Sequence, residues 1–170
     1  FGPDRTAMAV LPHPHTGLQT VTWPLAGNIR HRDSVGSDVV VRPGELNIMT
    51  AGHGVSHSEF AVRLDTDAAA QLPVQRGLQL WVALPEAARH REPAFEQHRE
   101  LPSVTRPGFT ATVIVGELAG AVSPATTYSP IVGADISCDG PAVLPLNAHF
   151  GHAVLVLDGG LTLDGQEVPP

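Results

Sequence analysis

Two pairs of residues of the types that bind metals, each with one residue between its members, constrain how this chain can fold. His13 and His15 flank a proline, and His57 and Glu59 flank a serine. On a β-strand, residues two positions apart point to the same face of the sheet. If the two segments are neighbouring strands inside a barrel, three imidazoles and one carboxylate converge on one point. We therefore predict a single metal site bound by His13, His15, His57 and Glu59.

Each histidine taken alone has a simpler interpretation, because a lone histidine on a strand is more often a surface or hydrogen-bonded residue. The four residues together favour metal binding. Three nitrogens and one oxygen suit Fe, Mn, Ni, Cu or Zn better than Mg or Ca. A structural zinc site is usually closed, tetrahedral and richer in cysteine, and this chain contains one cysteine.

Short alternating or apolar segments separated by turn residues predict an all-β fold. The 17 Gly and 16 Pro residues fit many short strands joined by tight turns. Pro14 cannot donate to a β-ladder, so its strand is expected at a sheet edge or at a bulge. Regular spacing of the strands favours a sandwich or barrel over a βαβ fold. In the first half we expect strands at residues 7–11, 18–23, 28–32, 38–42, 46–50, 55–62 and 77–84, with a loop at 65–73.

The chain divides at a polar, proline-containing stretch. Residues 1–86 are predicted to form the metal-binding barrel, 87–107 a connector with a helical turn near 95–99, and 108–170 a partial second β domain. In that domain strands are expected near 109–117, 128–136, 154–157 and 161–163. His149 and His152 are three apart, so on a strand they would point to opposite faces. The chain ends at Pro170 before a second ligand strand could occur, so the second barrel is expected to be incomplete and without metal.

Composition excludes several classes of partner. The formal net charge is −7 without a cluster of Lys or Arg, so direct binding of nucleic acid is not expected. No apolar run approaches the roughly 20 residues that cross a bilayer, so no membrane association is expected. The single Cys138 excludes an intramolecular disulfide framework and fits a reducing compartment. We therefore expect a cytoplasmic protein and leave its oligomeric state open.

Four stretches resemble the signature of the pirin family, within the cupin superfamily. They are HPHTGLQTVTWPLAGNIRHRDSVG, VVRPGELNIMTAGHGVSHSE, GLQLWVALP and TYSP, and they lie between residues 13 and 130. The resemblance implies a cupin-type β-barrel of the two-domain (bicupin) kind, with metal ligands at the same four positions. Two departures stand out: Thr16 where the family often has Arg, and Gln19 where cupins commonly place Glu.

The resemblance also implies a function. Pirins bind a single iron, and several resemble quercetin 2,3-dioxygenases, which open flavonols such as quercetin. It therefore implies Fe(II), with Ni, Mn, Cu or Zn as alternatives, and Glu59 as both a weak ligand and the base that deprotonates the flavonol. The alternative is an iron-dependent redox sensor that acts as a transcription coregulator through a protein partner. A third interpretation is a metal that only stabilises the barrel, and the four ligands do not distinguish these three.

The remaining conspicuous residues receive simpler interpretations. His31 lies at a strand end beside a turn and is expected to be solvated or to cap that turn. His53 is expected either to line the mouth of the site or to face water. Trp23 and Trp81 are expected in the core rather than as substrate platforms. Serines flank His57, but no arrangement of base and acid around them suggests a hydrolytic nucleophile.

Overall fold

The computed structural model describes residues 8–64 and 74–169. The loop expected at residues 65–73 lies outside this range. The described residues form strands and no helix, so none of them belongs to a helix that could cross a membrane. The strands are β1 (Ala9–His15), β2 (Leu18–Ala26), β3 (Asn28–Asp33), β4 (Asp38–Val41), β5 (Leu46–Thr50), β6 (Val55–Val62), β7 (Arg76–Ala83), β8 (Ala94–His98), β9 (Ser103–Arg106), β10 (Phe109–Val115), β11 (Glu117–Leu118), β12 (Ala121–Val122), β13 (Gly133–Cys138), β14 (Leu161–Leu163) and β15 (Gln166–Val168).

Two four-stranded antiparallel sheets make up the first half of the fold. One has the order β1-β6-β3-β4 and the other β7-β2-β5-β8. Side chains of the two sheets meet between them: the ring of Phe95 on β8 stacks on the ring of His31 on β3. Gln79 on β7 likewise donates a hydrogen bond to Glu59 on β6. The all-β prediction is confirmed, and the two predicted ligand segments are neighbouring strands.

The strand that contains Pro14 lies at the edge of its sheet and is irregular. Among the described strands, β1 pairs only with β6, and the register of the pairing shifts between Val10 and His13. A proline has no backbone N–H, so it cannot donate to the hydrogen-bond ladder of a strand that is paired on both sides. The prediction of an edge or bulged position is therefore confirmed.

Glycines hold the two ligand strands together at one end. The amide of Gly17, after β1, donates to the carbonyl of Gly52, before β6, at 2.8 Å. Gly52 has a φ of 53°, and a Cβ at this position would lie 2.0 Å from the carbonyl oxygen of Arg91. Only glycine fits there. The turn at residues 52–54 is also tied down by a 2.9 Å hydrogen bond from His53 N to Arg91 O.

The outer face of the second sheet forms the main hydrophobic core. Val21 and Trp23 of β2 pack with Ile48 against Ile114 and Val115 of β10. The Trp23 indole N–H also donates to the Asp135 carboxylate at 3.0 Å. Trp23 is thus a core residue, as predicted. This face of β2 points away from the first sheet. The alternate residues of β2 therefore point toward the first sheet.

Two local expectations were wrong. Residues 94–98 form β8, which pairs with β5 from Thr50↔Ala94 to Leu46↔His98, instead of a helical turn. A free edge of a sheet offers a ladder of hydrogen bonds that overrides weak local helical preference. Residues 154–157 form no strand, because Val154 and Leu155 are exposed and no described strand pairs with them.

The rest of the described chain forms a three-stranded sheet, β13-β10-β9, and the hairpins β11-β12 and β14-β15. Two of the predicted strands of this half are present, with shifted bounds, as β10 and β13, and a third as β14. The division at residues 86 and 107 stays a prediction.

Candidate metal centre

Three imidazole nitrogens converge between the sheets. His13 lies directly opposite His57 in the pairing of β1 with β6. The Nε2 atoms are 3.0 Å apart between His13 and His15, 3.1 Å between His15 and His57, and 3.2 Å between His57 and His13. The structure therefore brings together the three histidines that the sequence singled out.

These spacings fit three ligands around one ion. A bond of about 2.1 Å from a metal to each nitrogen places the nitrogens about 3.0 Å apart at right angles and about 3.4 Å apart in a tetrahedron. The observed distances of 3.0–3.2 Å fall in that range. A triangle of three lone pairs at such distances is unfavourable unless a cation or a proton lies within it.

The hydrogen bond of His13 favours the tautomer that binds a metal. Its Nδ1 lies 2.8 Å from the carbonyl oxygen of Leu11, which can only accept, so Nδ1 carries the hydrogen. In the neutral ring Nε2 then presents its lone pair to the other two histidines. A ligating histidine commonly donates its second N–H to a carbonyl in this way. The residues present thus fit a divalent transition metal.

Glu59 lies beside this triangle and is held by donors on both oxygens. It is 2 % exposed. Thr22 donates to Oε1 at 3.3 Å, and Gln79 donates to Oε2 at 2.7 Å. One ligand atom each of Glu59, His57 and His31 lie within 4.8 Å of one another, and the same holds for His13, His15 and His57. His57 therefore belongs to two adjoining groups of potential ligands, and the four-ligand set stays a prediction.

Burial and neighbouring charge keep these groups in their metal-binding forms. Burial lowers the pKa of His57 to about 4, and Glu59 only partly opposes this effect. Burial also lowers the pKa of His15, helped by the neighbouring His13. Burial alone would raise the pKa of Glu59, but the contacts with His31 and Gln79 outweigh it and the net pKa lies below the ordinary value. At neutral pH His15 and His57 are therefore neutral and Glu59 is ionised.

The expectation for His31 was wrong. Its side chain is 2 % exposed and lies against the site, not in solvent. Its Nδ1 is 3.6 Å from Glu59 Oε1, and its Nε2 is 3.1 Å from Asp33 Oδ2. The cause is the register of β3 against β6, which places His31 opposite Glu59 and Asp33 opposite His57. A sequence signal existed, since His31 and Asp33 are also two positions apart on one strand.

Trp81 does not occupy the core, contrary to expectation. It is 65 % exposed, and its ring meets the His15 ring edge-on at 5.0 Å. It shares a face of β7 with Gln79, which bonds Glu59. Trp81 is therefore an exposed aromatic surface at the side of the imidazole triangle.

Two other polar residues turn away from the site. His53 belongs to neither ligand group, and it faces water with its Nε2 3.0 Å from the exposed Glu92. Gln19, at the position where cupins commonly have Glu, donates to Thr50 Oγ1 and to the Thr126 carbonyl. The Gln19 amide is thus hydrogen-bonded to Thr50 of β5 and to the backbone at Thr126, not to the imidazole triangle.

Comparisons with known proteins agree with this architecture. Residues 1–82 match the family model described as Pirin. A Pseudomonas aeruginosa protein, whose name provisionally assigns it as a quercetin 2,3-dioxygenase, is 44% identical over 161 residues, which are 94% of this chain and 49% of that protein. A pirin-like protein of Caulobacter vibrioides is 38% identical over 94% of this chain and 55% of its own length. A crystal structure of quercetin 2,3-dioxygenase from Acinetobacter baumannii has a TM-score of 0.69 at 40% identity, covering 81% of this chain and 43% of that one.

The antiparallel sheets with histidines facing inward define a cupin fold, which the similar crystal structure shares. Within the cupin superfamily, this chain belongs to the pirin family. The chain spans about half the length of the curated relatives it matches, 49% and 55% of the two named above.

Acid is expected to release the metal only below the ordinary pKa of histidine, which is about 6.5. An imidazole must be neutral to bind, so protons compete only as the pH falls toward its own pKa. Because the pKa of His57 is about 4 and that of His15 is also lowered, competition at these residues is delayed to lower pH. Metal analysis after dialysis between pH about 7 and about 3 measures the midpoint. Half-release above about 6.5, or full retention at about 3, would contradict the expectation.

Proposed function

We propose that this protein is a mononuclear metal-dependent dioxygenase that acts on flavonols such as quercetin. Its metal would be held by His13, His15, His57 and Glu59, and Fe(II) is the proposed ion. The observation that carries the proposal is the triangle of Nε2 atoms 3.0–3.2 Å apart beside a buried, ionised carboxylate. The names of two similar proteins, at 44% and 40% identity, support the substrate class.

The bound metal would supply a Lewis acid that orients and polarises the flavonol oxygens and dioxygen. Three neutral imidazoles add no charge, so Glu59 is the only anion among the four proposed ligands. Its ionised carboxylate can accept the proton that the flavonol hydroxyl loses, because a general base must be deprotonated beforehand. The donors Thr22 and Gln79 hold that carboxylate in place during the transfer.

Trp81 fits the role of a platform for the aromatic rings of the substrate. Its indole is exposed and meets the ring of His15, whose Nε2 points into the triangle. A planar flavonol that reached the metal past His15 would find this apolar surface beside it. Aromatic pairs gain about 0.5–1.5 kcal/mol beyond the area they bury.

Replacing Trp81 with leucine is expected to weaken flavonol binding by about 2- to 10-fold, the equivalent of one aromatic contact. Binding is measured without oxygen, so that no turnover interferes, by titrating the metal-loaded protein with quercetin. Leu80→Ala is the matched control, because Leu80 is also exposed but alternates to the opposite face of β7. Equal affinity of wild type and Trp81→Leu would exclude Trp81 as a platform.

The proposed activity is tested by following oxygen uptake and the loss of flavonol absorbance with Fe(II)-loaded protein. Both are expected to require metal, flavonol and oxygen together. The metal-free protein is the control for uncatalysed oxidation. A protein that binds iron stoichiometrically but consumes no oxygen with any flavonol would contradict the enzyme, and would favour an iron-dependent regulator acting through a protein partner.

A further inference from the structure

We propose that the β-bulge formed by Leu11 and Pro12 in β1 is a positioning element that holds His13 in the tautomer and orientation that bind metal. The acting group is the backbone carbonyl of Leu11. This role rests on the metal site of the proposed function, but it does not depend on the substrate. It assigns a purpose to the irregular part of the edge strand, which lies outside the proposed ligand set.

β1 contains one residue more than β6 along the ladder that the two strands share. Val10 lies opposite Glu59, and His13 lies opposite His57. Three steps along β1 therefore correspond to two steps along β6, which defines a β-bulge. Bulges are common next to functional sites, where they re-aim a side chain. This one lies directly against the segment of β6 that contains two of the proposed ligands.

The bulge is held by regular pairing on both sides. Before it, Ala61 N donates to Met8 O at 2.8 Å. After it, Ser56 Oγ donates to His13 O at 3.3 Å, and the pairing continues to the end of β1. Pro12 has no N–H, so the interruption of the ladder leaves no backbone donor of this residue without a partner. The extra residue is thus confined to positions 11 and 12.

The bulge places a carbonyl group where a regular strand would not. In a regular strand the carbonyls lie in the plane of the sheet and the side chains stand roughly perpendicular to it. The carbonyl oxygen of Leu11 instead lies 2.8 Å from Nδ1 of His13. A carbonyl can only accept, so Nδ1 carries the hydrogen, and the neutral ring satisfies this contact.

The second nitrogen of the same ring is thereby made available to a metal. Nε2 of His13 presents its lone pair 3.0 Å from Nε2 of His15 and 3.2 Å from Nε2 of His57. Without the Leu11 carbonyl the hydrogen can lie on Nε2 instead, and a ring in that tautomer cannot bind a metal through Nε2. Partners that orient a ligating histidine in this way typically contribute about 10- to 100-fold to metal affinity.

Deletion of Pro12 tests this role, because it removes the extra residue and leaves the pairs on either side in register. Leu11 then stands alone between them, and its carbonyl returns to the plane of the sheet, away from the His13 ring. Cobalt(II) is the probe, and its dissociation constant is measured by competition with a chelator. We expect the shortened chain to bind cobalt about 10- to 100-fold more weakly than the wild type.

Leu11→Ala is the matched control. The Leu11 side chain is 69% exposed, and alanine keeps the backbone carbonyl. Cobalt affinity should therefore stay at the wild-type value. Nitrogen NMR of the imidazoles in the metal-free proteins, at mildly alkaline pH, gives a second readout. The His13 hydrogen should lie on Nδ1 in the wild type and in Leu11→Ala, and this single tautomer should be lost when Pro12 is deleted.

The positioning role is overturned if the shortened chain binds cobalt with wild-type affinity, or if His13 of the wild type carries its hydrogen on Nε2. Weaker binding with an unchanged His13 tautomer also overturns it, since the bulge would then be purely structural. If the shortened chain does not fold, the tautomer in the wild type decides. If the tautomer and the cobalt affinities are as expected but the iron form turns over no flavonol, the proposed activity fails and the positioning role stands.

Discussion

Glu59→Gln is expected to lower flavonol turnover by about 10²- to 10⁴-fold, the usual contribution of a well-placed general base. The amide keeps an oxygen that can accept from Gln79 and ligate the metal, but it cannot take a proton at neutral pH. Burial raises the pKa of Glu59, but the contacts with His31 and Gln79 together lower it by more, so the wild-type carboxylate is ionised at neutral pH, the form that a base requires. The rate should therefore fall much more than the metal content.

The measurement combines steady-state absorbance kinetics with metal analysis of the same preparations. Glu45→Gln is the control, because Glu45 is also buried and hydrogen-bonded, to the amide of Arg42, but belongs to neither ligand group. If Glu59→Gln keeps its full rate and its metal, Glu59 is not the base. If rate and metal fall in equal proportion, Glu59 acts as a ligand alone.

His57→Ala is expected to abolish metal binding and activity together. His57 is shared by both ligand groups, and its Nε2 lies 3.1–3.2 Å from those of His15 and His13. Without it only two imidazoles of the triangle remain, and the affinity should fall by more than the roughly 100-fold that loss of an orienting residue can cost. Metal analysis should show one ion per chain in the wild type and almost none in the variant.

His152→Ala provides the control for this experiment, because His152 is exposed and in the second half of the chain. Circular dichroism of both variants in the metal-free state separates loss of the site from loss of the fold. Retention of one metal per chain by a folded His57→Ala protein would show that the imidazole triangle is not the metal site.

Much of the site could be predicted from local sequence because alternation along a strand is a local property. His13 with His15, and His57 with Glu59, share a face wherever their strands lie. Pro14 likewise restricts its strand to an edge or a bulge in any sheet, because it lacks an N–H. The strands of the first half could be predicted from apolar alternation and turn residues, because these signals are also local.

The sequence by itself therefore determined the all-β class, the pirin resemblance and the three histidines that meet. Only the tertiary structure decided which strands pair and which side chains face them across the interior. Register placed His31 opposite Glu59, the facing sheet brought Gln79 to the same carboxylate, and an open edge made residues 94–98 a strand. The physical reason is that the two-residue repeat of a β-strand is local, so it shows which residues of one strand share a face. The choice of partner strand and the register of the pairing depend instead on burial and hydrogen bonding summed over segments that are distant in sequence.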